Sequence, residues 1–439
     1  MSSITYLKNL LINEHAIIIA YSGGLDSTVL LHHLVQLKKE NPFFKFKAIH
    51  IHHGLHDLAD SWATHCKIQC DIWEVPLIIQ KVQVKNQKYK GIEATARQIR
   101  YQALYKNMQP NETLLTAQHQ DDQTETFILA LKRGSGPTGL ASMTQIKLHG
   151  RHRHIRPFLN KSQLEIKEWA IKNTLSWVTD PSNQDIRYDR NFLRSKIIPL
   201  LNKRWPYFSR TVSRSAQLCN DQEKLLDEFL LDILNNLIDQ VQSLNFIPLK
   251  IMSHSRRFAL LRRWIQHQKS DMPSSRVLQN IWEQVACSRQ DANPCLKIGN
   301  HEVRRFHDRL YWLPIQESLS HYKLIWEFPW NSLILPDKIG HINQCNDGGI
   351  VLRRPSRQTK ISIRFHAQGK FYILGRTGSR SLKKLWQEYK IPPWQRTRIP
   401  LIFYNNSLIA ALGIFVTIDG TCISNKEYWR VIWVREKFS

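Results

Sequence analysis

The stretch that decides the fold is Ile17–Ser27, which reads Ile-Ile-Ile-Ala-Tyr-Ser-Gly-Gly-Leu-Asp-Ser. A short apolar run precedes a loop of glycines and hydroxyl groups, and apolar residues at helical spacing follow from Val29 to Leu37. This pattern predicts a strand, a tight loop and a helix. Backbone N–H groups of such a loop, at a helix N-terminus, can bind a polyphosphate. An ordinary glycine turn is the alternative, which the complete Ser-Gly-Gly-Leu-Asp-Ser pattern disfavours.

The loop contains no lysine, so it is not a Walker-type phosphate loop. Asp26 is its one charged residue, and the carboxylate would repel phosphate unless a cation lay between them. We therefore expect an ATP site that requires Mg²⁺, with Asp26 binding the metal. The residues expected to hold the ATP phosphates are Ser22, Gly23, Gly24, Leu25, Asp26 and Ser27.

Strands and helices alternate through about the first 135 residues. The alternation predicts an α/β domain with a parallel sheet and helices on its faces. Ligands of such sheets bind beyond the carboxyl ends of the strands, and the polar segments after Tyr21, Ile51 and Ala117 all fall there. The predicted strands after the first are Phe46–His52, Ile72–Leu77 and Thr113–Ala117, and the predicted helices are about Leu58–Cys70, Ile92–Lys106 and Asp121–Arg133.

The length of 439 residues predicts several domains, because single hydrophobic cores rarely grow beyond roughly 250–300 residues. We expect a catalytic domain at 1–214 and a mainly helical domain at 215–315. A linker is predicted at 316–350, where the pattern is poor, and a small α+β domain at 351–439.

The chain is strongly basic, with 62 Lys and Arg against 36 Asp and Glu and a formal net charge of +26. A polyanion is therefore the expected partner. Residues 351–439 alone hold 17 Lys and Arg against 4 acidic residues. The absence of an 18-residue apolar run argues against a membrane span, and seven thinly spread cysteines indicate the reducing cytoplasm.

A group of acids opens the predicted helix after Ala117, in the sequence Gln-His-Gln-Asp-Asp-Gln-Thr-Glu-Thr. Asp122 and Glu125 lie three residues apart, so their carboxylates share one helix face. Acids stabilise helix N-termini, and this alone is one explanation. Three acids together with His119 exceed that need, so we expect these residues to bind Mg²⁺ or the ammonium group of an amino-acid substrate.

A second charged row follows one helix, where Glu93, Arg97 and Arg100 are separated by steps of four and three. The spacing fits two interpretations equally. One is a solvated ladder of ion pairs, which contributes a few tenths of a kcal/mol per pair. The other is a pair of guanidinium groups directed at ATP phosphate or at an acidic main-chain group.

Two further patterns have ordinary explanations. Gly134–Gly139 matches Gly-x-Gly-x-x-Gly, but it follows a predicted helix and contains Pro137, so we expect a flexible loop and no dinucleotide site. The histidines His50, His52, His53 and His56 lack the spacing of a structural zinc site, so we interpret them as residues at a strand end beside a nucleotide.

The basic tail mixes cations with aromatic rings, a combination that suits phosphate contacts and base stacking in RNA. A tryptophan in the core is the alternative for either ring. The residues are Arg376, Arg380, Lys383, Lys384, Trp386, Trp394 and Arg396.

Together these motifs resemble the tRNA(Ile)-lysidine synthetase family, part of the PP-loop ATP pyrophosphatase superfamily. The loop at 22–27 alone would indicate only the superfamily, whereas the block at 118–139 and the tail make the resemblance specific. It covers nearly the whole chain, with little contribution from 215–350. The further matching segments are 93–101, Arg156-Pro157, Asp180-Pro-Ser-Asn, Arg190–Arg194, Gly375–Lys384 and Pro392–Trp394.

The resemblance implies a Rossmann-like, adenine nucleotide α-hydrolase-like catalytic domain and a ligase forming a carbon–nitrogen bond. ATP would adenylate O2 of the wobble cytidine of an isoleucine tRNA with anticodon CAU. The ε-amine of L-lysine would then attack C2 and release AMP. The product, lysidine, pairs with A and changes the amino acid that the tRNA accepts. A carboxylate must take the proton of the lysine amine.

The resemblance also suggests roles for single residues. Asp122 and Glu125 would bind lysine or act as base, assisted by His119. Arg97 and Arg100 would stabilise the reacting phosphate or the tRNA. The residues expected to face tRNA are Arg190 and Arg194, which could instead face the adenylate, and Arg376, Arg380, Lys383, Lys384, Trp394 and Arg396.

Two rival functions remain open. A PP-loop tRNA thiolase would share the loop, but such enzymes generally need a reactive cysteine pair or an iron–sulfur site, and no cysteines here have that spacing. A non-catalytic RNA-binding protein would leave the combination of Asp26, Asp122 and Glu125 unexplained. The sequence leaves a monomer and a homodimer equally open.

Overall fold

The computed structural model describes residues 3–14, 16–54, 56–83, 92–268, 272–422 and 428–436, with backbone only at 3 and 92–94. The chain divides into two compact units, Met1–Phe229 and Leu230–Ser439. Within the described residues, no helix is both long and apolar enough to cross a membrane.

A largely parallel sheet forms the centre of the first unit, in the strand order β3-β2-β1-β4-β6-β5. Only the edge pair of β5 and β6 is antiparallel. The predicted Rossmann-like α/β architecture is thereby confirmed. The strands are β1 (Ile17–Ala20), β2 (Phe46–His52), β3 (Leu77–Lys81), β4 (Thr113–Leu115), β5 (Ile146–His149) and β6 (His152–Ile155).

Helices connect these strands and continue after the sheet. A π-helical segment, Leu193–Ile197, joins α8 to α9. The helices are α1 (Ser3–Leu10), α2 (Leu25–Glu40), α3 (Ala59–Ile72), α4 (Ile92–Lys106), α5 (Gln120–Lys132), α6 (Pro137–Leu140), α7 (Gln163–Lys172), α8 (Asp189–Phe192), α9 (Ile198–Arg204) and α10 (Phe208–Leu237).

Both faces of the sheet are buried, which explains why β1 is apolar at every position. Ile17 and Ile19 pack in one cluster with Leu30 of α2. Ile18 points the other way and packs in a second cluster with Leu104 of α4. Burying one such side chain stabilises the fold by about 1.5–3 kcal/mol. Strand β1 therefore anchors the sheet to the cores on both of its faces, and the loop at 22–27 follows directly from this strand.

The predicted strand Ile72–Leu77 is wrong. Helix α3 continues to Ile72, and the strand begins only at Leu77. Glu74 takes a φ of 50° in the turn between them. Val75 packs into the core from this connection, so the apolar residues that resembled a strand belong to a helix end and a turn.

Helices dominate the start of the second unit, as the sequence predicted for the region 215–315, but the unit begins at Leu230, within α10. The sequence pattern did not show everything in this region. It missed an antiparallel sheet of order β7-β10-β9-β8 that shares a core with these helices. The helices are α11 (His254–His267) and α12 (Ser275–Asn280), followed by a π-helical segment at Ile281–Ala286. The strands are β7 (Leu244–Asn245), β8 (Cys295–Ile298), β9 (His301–Phe306) and β10 (Arg309–Pro314).

The C-terminal part of the second unit contains three antiparallel sheets, of order β11-β15-β18-β19-β20, β12-β13-β21-β14 and β16-β17. Its strands are β11 (Lys323–Trp326), β12 (Leu333–Ile334), β13 (His341–Cys345), β14 (Ile350–Arg353), β15 (Ile361–Arg364), β16 (Lys370–Tyr372), β17 (Ser379–Ser381), β18 (Leu401–Tyr404), β19 (Ser407–Ala411), β20 (Phe415–Val416) and β21 (Tyr428–Val434). Its helices are α13 (Leu382–Glu388) and α14 (Pro393–Arg396).

The segment 316–350, which we predicted to be a linker, belongs to these C-terminal sheets. Strand β11 pairs with β15, and β13 pairs with β21. The rings of Trp326 and Trp330 are buried against Trp429, with centroids 5.3 and 5.1 Å away. Strands of two to five residues are too short to show a clear alternation, so the sequence pattern missed them.

Candidate active site

The loop after β1 is folded by its own hydroxyl groups. The Ser22 amide donates to Ser27 Oγ at 3.2 Å, and Ser27 Oγ donates to the Gly24 carbonyl at 3.0 Å. Gly24 occupies the N-cap of α2 and makes no side-chain cap hydrogen bond. No side chain of that residue therefore competes with a ligand for the N–H groups of the first helical turn.

Gly23 is the loop position at which a larger residue would be strained. Its φ is +80°, a conformation that residues with a Cβ rarely adopt. A Cβ there would also lie 2.9 Å from Cys66 Sγ and 3.2 Å from Val178 Cγ2. The amide of Val178 donates to the Gly23 carbonyl at 2.9 Å, which holds the loop from behind.

A cleft of about 350 Å³ opens over this loop, at the carboxyl ends of the central strands. It brings together residues that the sequence reasoning placed in separate motifs. The predicted site residues that line it are Ser22, Gly24, Asp26, Ser27, Arg97, Arg100, Asp122 and Arg190. Gly23 and Leu25 belong to the same loop but do not line the cleft.

His119, the N-cap of α5, lies between Asp26 of the loop and Asp122 of α5. Its Nδ1 accepts the Asp121 amide at 3.2 Å, while the His119 amide donates to Asp122 Oδ2 at 3.1 Å, so the two residues form a capping box. Because Nδ1 is an acceptor, the neutral ring carries its proton on Nε2. That nitrogen lies 3.4 Å from Asp122 Oδ2 and 3.7 Å from Asp26 Oδ2. His119 is therefore a donor placed between two carboxylates.

Asp122, Glu125 and Arg194 form a cluster that we call the carboxylate–arginine wall. Arg194 Nε donates to Glu125 Oε1 at 2.6 Å, and its Nη2 donates to Glu125 Oε2 at 3.1 Å. The same Nη2 donates to Asp122 Oδ1 at 2.9 Å. The Glu125 side chain is completely buried. The sequence predicts that Arg194 faces tRNA or the adenylate; in the structure its guanidinium also contacts these two acids, which the sequence did not predict.

The carboxyl groups of this region have perturbed proton affinities. Burial raises the pKa of Asp26, and the nearby Asp122 carboxylate raises it further against the opposing effect of His119. Burial likewise raises the pKa of Glu125, while the Arg194 guanidinium opposes that shift. Buried carboxyl groups with raised pKa values are typical of active sites, where the protein tunes the proton affinity of the reacting groups.

The wall separates the cleft from a second cavity of about 980 Å³. Asp122 lines the first cleft, whereas Glu125 and Arg194 line the second cavity. Arg210 and Tyr207 also line that cavity. Two compartments thus meet at one cluster of opposite charges, an arrangement that can bring two different ligands to the same point.

Asp121 has a different place from its neighbours. Its Oδ1 accepts Ser209 Oγ at 3.1 Å and its Oδ2 accepts the Gln163 amide at 2.9 Å. These contacts tie α5 to α7 and α10, so Asp121 has a structural role. Arg190 Nη2 donates to Thr126 Oγ1 at 3.2 Å at the edge of the cleft.

Of the charged row on α4, Arg97 lies 5.3 Å from the Tyr101 ring centroid, and Arg97, Arg100 and Tyr101 all line the cleft. This placement fits the second interpretation, in which the guanidinium groups face a bound phosphate. The side chain of Glu93 lies outside the described residues.

Sequence reasoning missed several cleft residues. Val178, Asp180 and Asn183 line the cleft although they lie far along the chain from the loop. Their only sequence signal was the Asp-Pro-Ser-Asn turn, in which Asp180 accepts the Ser182 amide at 2.8 Å. His50 and Trp62 also line the cleft. Only the three-dimensional fold brings these residues to the loop.

The predicted tRNA-facing residues of the tail divide into two sets. The residues Arg376, Arg380, Lys383 and Lys384 are exposed, and both arginines contact Glu388. Trp394 packs on Tyr311 with ring centroids 5.0 Å apart, and Arg396 Nε donates to the Ile391 carbonyl at 2.9 Å. Trp386 is buried in the core, as its alternative interpretation held.

The residues present fit a magnesium ion shared with a bound polyphosphate. Asp26 Oδ1 is buried and has no hydrogen-bond partner among the described residues, so a cation would satisfy it. The hydroxyls of Ser22 and Ser27 are hard oxygen donors beside it. In the described part of the chain, no group of three His, Cys, Asp or Glu residues could hold a metal without such a ligand.

Family models match three separate parts of the chain. A PP-loop domain matches residues 2–201, a TilS substrate binding domain matches 244–311, and a TilS substrate C-terminal domain matches 361–433. The first unit is therefore a PP-loop domain, consistent with the loop and cleft described above.

Curated relatives define the family more narrowly. The tRNA(Ile)-lysidine synthase of Serratia proteamaculans is 52% identical over 417 residues, covering 95% of this chain and 95% of its own. The enzymes of the same name from Escherichia coli O157:H7 and Shigella flexneri are 48% and 47% identical, each covering 94% of this chain and 95% of their own. The chain belongs to the tRNA(Ile)-lysidine synthase family.

Solved structures give weaker likenesses. A U34-tRNA thiolase from Methanococcus maripaludis has a TM-score of 0.41 and 17% identity, covering 50% of this chain and 78% of that one. A TilS C-terminal domain has a TM-score of 0.22 and 16% identity, covering 26% of this chain and 100% of that one.

Proposed function

We propose that this protein uses ATP to join L-lysine to C2 of the wobble cytidine of the isoleucine tRNA with anticodon CAU. The carrying observation is the carboxylate–arginine wall, which stands between the loop cleft and a second cavity. Membership of the tRNA(Ile)-lysidine synthase family supports the reaction. The wall supports a reaction of two substrates, because a nucleotide and an amine can approach it from opposite sides.

The first step is adenylation of the base. Cytidine O2 attacks the α-phosphorus of ATP, and the bond to pyrophosphate breaks. The loop from Ser22 to Ser27 would bind the phosphates through N–H groups at the start of α2. Arg97 and Arg100 line the same cleft and would balance the developing negative charge. Mg²⁺ would be held by Asp26 and the phosphates, where it neutralises phosphate charge.

The second step forms the carbon–nitrogen bond. The neutral ε-amine of lysine attacks C2, and the former O2 departs on AMP. We assign Asp122 as the base, because its carboxylate lies in the cleft while His119 presents an N–H to it and cannot accept a proton at Nε2 in this tautomer. Glu125 would contribute to lysine binding at the edge of the second cavity, where an arriving ammonium group has to displace Arg194 from the Glu125 carboxylate. His119 is a positioning residue.

The test is a reaction containing ATP, Mg²⁺, isotopically labelled lysine and the isoleucine tRNA transcript, followed by mass spectrometry of the nucleosides. Lysidine carrying the label is expected, with one AMP and one pyrophosphate per modified cytidine. Pyrophosphate release that ignores lysine but needs a sulfur donor would identify a tRNA thiolase instead. No release with any tRNA would identify an RNA-binding protein without this activity.

Two variants examine the assignment of the base. Asp122→Asn is expected to lower kcat for lysidine formation by about 100-fold or more, the usual scale of general base catalysis. Adenylation without lysine, followed as pyrophosphate release, should be reduced much less. Asp189→Asn is the matched control, because Asp189 is exposed and pairs with Lys132 on the surface. Unchanged lysine turnover in Asp122→Asn would remove Asp122 from this role.

We also propose that the enzyme acts in the cytoplasm.

A further inference from the structure

An aromatic row leads from the cleft to the edge of the sheet. It consists of Tyr101, Tyr105 and His149, and it begins at Arg97, whose guanidinium lies 5.3 Å from the Tyr101 ring centroid. The Tyr101 and Tyr105 centroids are 6.3 Å apart with planes inclined by 28°. Tyr105 and His149 stack at 4.0 Å with an inclination of 13°. Near-parallel rings at such spacings continue one another as a stack.

The outer end of the row lies on a basic hairpin formed by β5 and β6. Every residue of β5 is exposed, and Leu148 is 70% exposed. Lys147 precedes His149 by two residues, so the two side chains share one face of the strand. Arg151 is exposed in the turn that follows. Strand β5 is therefore an exposed edge strand that carries both cations and apolar groups. Exposed edge strands of this kind are common sites of contact with a partner.

The inner end of the row belongs to the cleft. Arg97 and Tyr101 both line the cleft, and the Tyr101 hydroxyl accepts a hydrogen bond from Gln118 at 3.0 Å. Gln118 directly precedes His119, the N-cap of α5. The row therefore joins the reacting centre to an exposed cationic surface within the first unit.

We propose that this row binds the single-stranded RNA that adjoins the cytidine in the cleft. Bases stack on flat rings without regard to sequence, and phosphates bind the flanking cations. Rings aligned with Lys147 and Arg151 suit a polyanion that also carries π-faces, which is the chemistry of an unpaired RNA loop. The inference rests on the proposed function for the identity of the RNA, and it adds the path along which the loop approaches.

Fluorescent RNA tests the stacking directly. The probe is an anticodon stem-loop of the isoleucine tRNA with 2-aminopurine in place of a base beside the wobble cytidine. Binding to the wild-type protein is expected to change the fluorescence by stacking, and His149→Ala and Tyr105→Ala should weaken binding by about tenfold each. Tyr105→Phe keeps the ring and should bind like wild type. Unchanged affinity and fluorescence in both alanine variants would overturn the proposal.

A charge test and a control complete the experiment. Replacing Lys147 and Arg151 by alanine should reduce the slope of log affinity against log salt by about one for each phosphate that the variant no longer neutralises. His254→Ala is the matched control, because His254 also stacks on an aromatic ring, Phe258, at 4.3 Å but lies on α11 of the second unit. An equal loss of affinity in the control would count against the row.

Failure of this inference is distinguishable from failure of the proposed function. Wild-type protein that makes lysidine while the row variants keep their KM for tRNA would disprove the row alone. Wild-type protein that makes no lysidine would disprove the function, and the fluorescence of the probe would still report whether the row binds RNA. Each variant should retain the wild-type rise in Tm on adding ATP, which shows that the loop cleft is intact.

Discussion

Two clusters of charged side chains in this protein differ in the ratio of arginines to acids and in the burial of the acids. In the carboxylate–arginine wall, one arginine is shared by two acids, and the Glu125 side chain is fully buried. In the C-terminal region, Arg376 and Arg380 share the single acid Glu388, and all three residues are exposed. Buried ion pairs are costly to break from one side, whereas exposed pairs contribute little to stability. The contrast lies in the acids. The side chains of Glu125 and Asp122 are 0% and 13% exposed and that of Glu388 is 33% exposed, whereas all three arginine side chains are 36–43% exposed. We therefore expect the wall to contribute more to stability than the C-terminal cluster.

The largest expected effect comes from removing the cation that faces the buried Glu125 and the largely buried Asp122. Arg194→Leu leaves the Asp122 and Glu125 carboxylates without their cation and should destabilise the protein by about 3–5 kcal/mol. Urea denaturation followed by circular dichroism measures the change. Lys132→Ala, which breaks an exposed pair with Asp189, is the control and should cost less than about 1 kcal/mol. Equal effects of the two variants would contradict the contrast between buried and exposed clusters.

The loop glycine extends the comparison to backbone packing. Gly23→Ala combines a φ of +80° with a Cβ only 2.9 Å from Cys66 Sγ, so we expect a loss of about 1–3 kcal/mol and a higher KM for ATP. Gly54→Ala has a φ of +60° but meets no atom within 4 Å, so it isolates the strain from the clash. Thermal unfolding with and without ATP compares them. A Gly23→Ala protein as stable as Gly54→Ala would show that the loop can move away.

The pH dependence of stability distinguishes a buried from an exposed histidine on β5 and β6. Burial lowers the pKa of His154 to about 3, helped by the neighbouring Arg156, whereas an unfolded histidine titrates near 6.5. The unfolded chain therefore binds a proton first, and stability falls as pH drops below about 6.5 and continues to fall towards pH 3.

His154→Gln should remove this part of the acid sensitivity, a difference of about 1–2 kcal/mol between pH 7 and pH 5. Denaturant titrations at both pH values measure it. The exposed His149 is the comparison position. Burial and the neighbouring Lys147 lower its pKa as well, but because the ring is exposed, His149→Gln should flatten the slope less than His154→Gln. The same slope in His154→Gln and the wild type would mean that other groups dominate acid unfolding.

The smallest expected effect belongs to the exposed cluster. Glu388→Gln frees Arg376 and Arg380 from their shared acid, so the affinity for tRNA should rise a few-fold and its salt dependence should steepen. Stability should change by less than about 1 kcal/mol. Filter binding over a range of salt concentrations, with Glu436→Gln as a control acid in the same region, tests this. Weaker binding would show that Glu388 orients the arginines for RNA.

The sequence predicted the first unit well because its signals are local and strong. The run Ile17–Ala20 had to be a strand buried on both faces, and the loop that follows could be read residue by residue. The acids of α5 were found because helix geometry places Asp122 and Glu125 on one face. Their contact with Arg194 was not predicted, because a contact between residues 69 positions apart leaves no trace in spacing.

The weaker predictions share one physical cause. The segment 316–350 consists of short strands whose partners lie far along the chain, so its pattern resembled a linker. Val178 and Asp180 reach the cleft only through the fold of the first unit. The stacked rings of Tyr105 and His149 gave no periodic signal at all. Long-range pairing, and not local propensity, decides each of these cases.

The start of α2 has a consequence for the protein between catalytic cycles. A helix whose N-cap residue supplies no side-chain acceptor has its first amides available to solvent. Bound nucleotide phosphate would serve as the missing cap and so close the first turn. Amide hydrogens of residues 25–27 should therefore exchange rapidly in the free protein and slowly once ATP is present, whereas the Thr28 amide already donates to the Gly24 carbonyl at 3.0 Å. The N-terminal turn of α2 would therefore be most stable while ATP is bound.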